Sequence, residues 1–148
     1  MSKFHFRLAT LLRLRETARD ERRVQLADVQ RADAELQGRL ARLDIQRKQL
    51  QEECRTAGGP GNVDLPHLVE TQQYASALRA QEAELLRQRR ALATEIDRRR
   101  QALLAADRDV QTLEKLRENQ SQTHRQDEER QEGKRLDESA LQAMGSQK

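Results

Sequence analysis

The stretch that decides the fold runs from residue 75 to residue 113 and reads ASALRAQEAELLRQRRALATEIDRRRQALLAADRDVQTL. Twelve positions from Ala75 to Leu113 follow one another at alternating steps of three and four residues, and nine of them are apolar. We call these positions the seam, because they lie along one edge of a helix. A stripe this narrow covers one edge of a helix and needs a second helix to bury it. The spacing therefore predicts a coiled coil.

The same spacing occurs upstream, where only Asp33 and Arg47 interrupt it. Between the two arms lies TAGGPGNVDLP, residues 56–66, whose glycines and prolines favour a chain reversal. We therefore predict an all-α fold, an antiparallel two-helix coiled-coil hairpin with a longer second helix overhanging the open end. The expected seam comprises Leu26, Val29, Leu36, Leu40, Leu43, Leu50, Leu68, Leu78, Leu85, Leu92, Ile96, Leu103, Val110 and Leu113.

The helix-breaking residues set the expected bounds within a single coiled-coil domain, residues 1–148. Helix one should run from about 6 to 55, the turn from about 56 to 64, and helix two from about 65 to 120 or beyond. Asp64 is a suitable N-cap for helix two. A polar C-terminal extension should follow over about 121–148, because residues 121–135 include no apolar side chain and would form an exposed helix or a disordered tail.

The register between the arms has two candidates. Residue numbers that sum to about 118 give six wholly apolar layers, among them Leu40 with Leu78 and Leu50 with Leu68. A sum of about 125 gives fewer such layers, among them Leu40 with Leu85. We prefer the first register on this count. In either register, helix two has no opposing helix after about Leu113.

Composition restricts the class of protein. The chain is 35% hydrophobic and 36% charged, with 28 basic and 25 acidic residues mixed along it, so a thick core is not expected. Cys54 is the sole cysteine, and the three histidines are dispersed. No motif for catalysis, metal binding or cofactor binding is present, and no apolar run is long enough to span a membrane. We expect a cytoplasmic protein that is not an enzyme and has no cofactor or small-molecule substrate.

Two arginine clusters, residues 87–90 and 98–100, allow two interpretations. They either form an anion-binding surface suited to RNA or belong to a solvated face on which Glu84, Glu95 and Asp97 pair with them. We favour the second, because no aromatic residues accompany them for base stacking. Nucleic acid is therefore an unlikely partner.

Three segments carry a resemblance to a known family. They are FHFRLATLLRLRE at residues 4–16, QQY at residues 72–74 and GKRLDESA at residues 133–140. Together with the chain length, these segments resemble the FliJ family of bacterial flagellar export proteins.

The resemblance implies a non-enzymatic stalk of the flagellar type III protein export apparatus. Such a stalk promotes assembly and activity of the hexameric export ATPase, couples it to the membrane-embedded export gate and escorts export chaperones. It also implies a place at the cytoplasmic face of the inner membrane. The equivalent stalk of a virulence secretion system and an arginine-rich RNA-binding arm are the alternatives.

The family pattern also suggests contact residues at both ends. The ATPase contact would include Leu8, Leu11, Arg13, Lys134, Leu136, Asp137 and Glu138. The gate contact would include Tyr74, Leu78 and Leu85, of which the two leucines also belong to the expected seam.

Overall fold

The computed structural model describes residues 2–57 and 64–146. It contains two α-helices, α1 (Ala9–Ala57, 49 residues) and α2 (Leu65–Gly145, 81 residues). Ion pairs link Asp33 to Arg89 and Arg47 to Glu82, so residue numbers rise along α1 as they fall along α2. The predicted all-α antiparallel hairpin with a longer second helix is confirmed.

The start of α1 differs from the expected start near residue 6. The helix begins at Ala9, where the Leu12 N–H donates to the Leu8 oxygen over 2.9 Å. Phe6 precedes the helix, and its ring is buried. The residues before α1 are not helical, and Phe4 and Phe6 pack in the cluster that includes Val110 of α2, which a helical period does not reveal.

The other predicted bounds fall closer to the structure. α1 ends at Ala57, so Thr56 is helical, whereas the glycines and proline predicted to form the turn, residues 58–61, lie outside the described residues. Asp64 directly precedes α2, and its backbone oxygen accepts a hydrogen bond from the Leu68 N–H over 3.0 Å. The backbone oxygen of an N-cap residue accepts the first bond of a helix in this way. The segment predicted as a polar extension continues α2 to Gly145.

The chain divides into two packed units. The terminal unit comprises Met1–Glu21 and Leu104–Lys148, and the turn unit comprises Arg22–Leu103. In the terminal unit, Phe6, Leu12 and Val110 form a buried cluster, against which Phe4, Leu8 and Leu113 pack. In the turn unit, Val29, Leu36 and Leu78 are buried.

Most of the expected seam residues are buried or partly buried, and Leu68 is the exception with 46% of its surface exposed. Leu68 lies in the first turn of α2, where it shares an exposed face with Leu65 and Val69. The expected layer of Leu50 with Leu68 is therefore absent.

The preferred register is wrong, and the contacts match the alternative. Within the turn unit, Arg99 donates to the backbone oxygen of Gln25, and the numbers of these two residues sum to 124. Within the terminal unit, Arg15 and Asp109 also sum to 124 and lie 3.7 Å apart. Counting apolar layers missed this register because charged seam residues form contacts of their own across the helices.

The unopposed part of α2 also begins later than predicted. Ser2 Oγ donates to Glu128 Oε1 over 3.1 Å, so the N-terminal segment follows α2 well past Leu113. An extended chain advances about 3.3 Å per residue and a helix about 1.5 Å, so a few extended residues cover several helical turns.

Candidate functional site

The residues expected at the open end fall into two separate groups. Leu8 packs against the buried cluster of the terminal unit, and its neighbours Leu11 and Arg13 are exposed. The second group, Lys134 and Leu136 to Glu138, is exposed on α2. Leu136 lies 23 residues beyond Leu113, which is about 35 Å along a helix. The structure therefore does not bring the two groups into one site.

The C-terminal part of α2 presents large apolar side chains to solvent. Leu136, Leu141 and Met144 are 66%, 67% and 73% exposed. Leu136, Ala140 and Ala143 share one helical face, and Met144 borders it. Sequence analysis of the family pattern selected Leu136 but did not include Leu141. Exposed apolar side chains in a group of this kind are typical of a protein interaction surface.

The N-terminal segment is held on α2 by a group of contacts around His124. The Phe4 and His124 rings lie 5.7 Å apart, centroid to centroid. His124 Nε2 donates to the Ser2 backbone oxygen over 3.1 Å and lies 3.3 Å from Glu128 Oε1. These contacts position Leu8 and Leu11 by fixing the chain that leads into α1. The sequence pattern does not predict these contacts, because residues before α1 show no helical period.

The residues expected to contact the export gate do not share a surface. Leu78 is only 4% exposed and Leu85 is partly buried, so both belong to the interface between the helices. Leu78 cannot reach a partner while the helices stay paired. Tyr74 is 48% exposed and remains available. The exposed apolar residues Leu65 and Val69 lie on the opposite face of α2 from Tyr74, at a separation of nine and five residues.

The arginine clusters have carboxylate partners nearby. Arg87 lies 2.6 Å from Glu84, and this ion pair contributes the largest effect that lowers the pKa of the Glu84 carboxyl. Arg98 and Arg99 both approach Glu95, at 3.4 Å and 2.9 Å. These contacts favour the interpretation as a solvated, paired face.

Arg89 is directed across the hairpin instead. Its Nε donates to Asp33 over 3.0 Å, and this hydrogen bond is the main reason that the pKa of the Arg89 guanidinium is raised. The charge of Arg89 is therefore engaged between α1 and α2, which makes it less suitable for binding a phosphate.

Metal sites and membrane spans were also sought in the part of the chain that the structure describes. No group of three or more potential metal ligands occurs among residues 2–57 and 64–146. Among the same residues, neither helix contains a segment sufficiently long and apolar to cross a membrane.

Comparison with known proteins gives one match. A family model described as the flagellar FliJ protein matches residues 4–148, which is nearly the whole chain. Neither curated proteins nor solved structures provide a match.

Proposed function

Because the chain belongs to the FliJ family, and so is a component of flagellar type III export, we propose that it acts as a stalk between the export ATPase and the export gate. In this role it is not an enzyme. It promotes assembly and activity of the hexameric ATPase ring and works at the cytoplasmic face of the inner membrane. Escort of export chaperones is a further part of the proposal. The match to a flagellar family favours this role over a virulence secretion system.

The observation that carries the proposal is the group of exposed apolar side chains on the C-terminal part of α2. Leu136, Leu141 and Met144 remain in contact with solvent although α2 is helical to Gly145. Burying such side chains against a partner provides a favourable free energy of about 25 cal/mol for each Å² of apolar surface. These side chains therefore support an ATPase contact through Leu136, and Lys134, Asp137 and Glu138 are further exposed residues of the proposed contact.

The N-terminal group, Leu8, Leu11 and Arg13, would be a second and separate surface for the ATPase. Leu11 and Arg13 are exposed on the first turns of α1, whereas Leu8 is engaged in the buried cluster. Leu8 therefore acts by holding Leu11 and Arg13 in position. Within the turn unit, Tyr74 is the exposed residue of the expected gate contact.

The test measures stimulation of the purified flagellar export ATPase from the same organism. We expect the wild-type chain to raise the ATPase rate and Leu136→Asp to reduce that stimulation by about tenfold, since a central apolar contact is worth on the order of 1 to 2 kcal/mol. Ile45→Asp is the matched control, because Ile45 is similarly exposed but belongs to the turn unit and to none of the expected contacts. Equal stimulation by wild type and Leu136→Asp would contradict the proposed contact, and no stimulation by the wild type would contradict the function.

A further inference from the structure

The two registers considered for this hairpin differ by one heptad. Their residue sums, 118 and 125, differ by seven, so the same seam positions face the partner helix in both. By residue sum, Leu40 is opposite Leu85 in the observed register and opposite Leu78 in the alternative, so its layer is wholly apolar in either case. The apolar seam by itself therefore does not select one register.

The charges on the seam do distinguish the registers. In the structure, Arg47 Nη1 lies 3.5 Å from Glu82 Oε2, so the two charges compensate each other. In the alternative register, Glu82 would face Leu36 and lie one layer from the Asp33 carboxylate, whereas Arg47 would face Thr71. The alternative therefore replaces an attraction by a repulsion and leaves Arg47 three layers from Glu82.

A second contact also favours the observed register. Arg99 donates to the backbone oxygen of Gln25 and also lies 2.9 Å from Glu95, so it bridges α1 and α2 at one level of the turn unit. Sliding by one heptad would move Arg99 away from Gln25 by about 10 Å. By contrast, Asp33 and Arg89 would lie in adjacent layers in both registers, so their ion pair stabilises the hairpin without selecting the register.

We propose that the turn unit has a second stable pairing, one heptad from the observed one, and that the Arg47–Glu82 ion pair selects between them. Exposed ion pairs are individually weak, with a typical value below about 1 kcal/mol, so a partner that engages either charge can change the balance. The slide displaces one arm along the other by about 10 Å. The turn unit is thus a two-state element whose register responds to charges that approach Glu82 or Arg47.

Disulfide formation reports the register in the full-length chain after Cys54→Ser. The pair Leu40→Cys with Leu85→Cys reports the observed register, and Leu40→Cys with Leu78→Cys reports the alternative. Glu82→Arg places like charges beside Arg47 in the observed register and an attractive charge beside Asp33 in the alternative. We expect Glu82→Arg to raise the yield of the 40–78 disulfide about fivefold, the ratio that corresponds to the upper value of an exposed ion pair. The 40–85 yield should fall.

Two further variants complete the test. Adding Arg47→Glu to Glu82→Arg restores an ion pair in the observed register, so the disulfide yields should return to those of the original charges. Glu82→Gln removes the charge without reversing it. If Glu82→Arg loses its helical circular dichroism, the disulfide yields of Glu82→Gln decide the outcome instead. A 40–78 yield that stays at its starting value in the folded variants would overturn the proposal.

Discussion

Phe6, Leu12 and Val110 form the buried cluster of the terminal unit, and Val110 is the most enclosed of them with 1% of its surface exposed. Each removes apolar surface from water, which stabilises the folded chain by about 1.5 to 3 kcal/mol for a large side chain. Buried and exposed leucines occur close together on α1, as Leu12 and Leu14 do. Their environments therefore differ although their chemistry is identical.

A pair of leucine substitutions tests this difference. Leu12→Ala should lower the free energy of unfolding by about 2 to 5 kcal/mol, because it removes a side chain from a buried cluster. Leu14→Ala should change it by less than about 0.5 kcal/mol, because Leu14 is exposed. Urea unfolding followed by circular dichroism measures both. Similar losses for the two variants would show that Leu12 is not in the cluster.

The pKa of the Asp44 carboxyl provides a prediction about a single charged residue. Its pKa lies below the ordinary value of 3.8, chiefly because Lys48 donates a hydrogen bond to it and Arg47 adds another. Since the folded pKa is the lower one, the stability from these contacts is present above the unfolded pKa and is lost as pH falls through the folded pKa. Side-chain NMR titration should show Asp44 below 3.8 in the wild type. Lys48→Met should raise the pKa toward the ordinary value, and an unchanged pKa would exclude Lys48 as the main cause.

At the scale of elements, the helices follow from the sequence more readily than their ends do. Apolar spacing indicated which face of each helix is buried, because a helix repeats the same face every few residues. The start of α1 at Ala9 was missed because Leu8 occupies the N-cap position, where polar residues are usual. Packing of Phe6 in the buried cluster holds that end instead.

Gly38 provides a prediction about the stability of an element. It lies inside α1, and a Cβ added at this position would meet nothing within 4 Å. Replacing glycine by alanine in a helix interior restricts the unfolded chain, so Gly38→Ala should stabilise the protein by about 0.5 to 1 kcal/mol. Thermal unfolding should show a higher Tm. A lower Tm would mean that Gly38 packs against another part of the molecule.

At the scale of the whole molecule, the hairpin could be predicted from the sequence and its register could not. The seam and the breaker residues around 58–61 together specify two helices that fold back on each other. The register depends on which charges meet, as Arg47 and Glu82 do, and counting leucine layers omits such pairs. The contacts around His124 were missed for a different reason, since they involve a segment without regular structure.

The proposed function depends on the hairpin as a whole. A chain that folds back places the first turns of α1 and the second half of α2 in the same terminal unit, although many residues separate them in sequence. The same folding leaves Tyr74 exposed in the turn unit. Surfaces for two different partners can therefore occur on one polypeptide, as the proposed stalk requires.

The most direct test of the central claim is the distance between Gln46 and Gln81, which line the same groove between α1 and α2. Spin labels at these two positions, in a chain with Cys54→Ser, would report it by electron paramagnetic resonance. The hairpin predicts a distance below about 20 Å, because paired helix axes lie about 10 Å apart. A distance near 50 Å, which about 35 residues of one continuous helix would span, would contradict the fold.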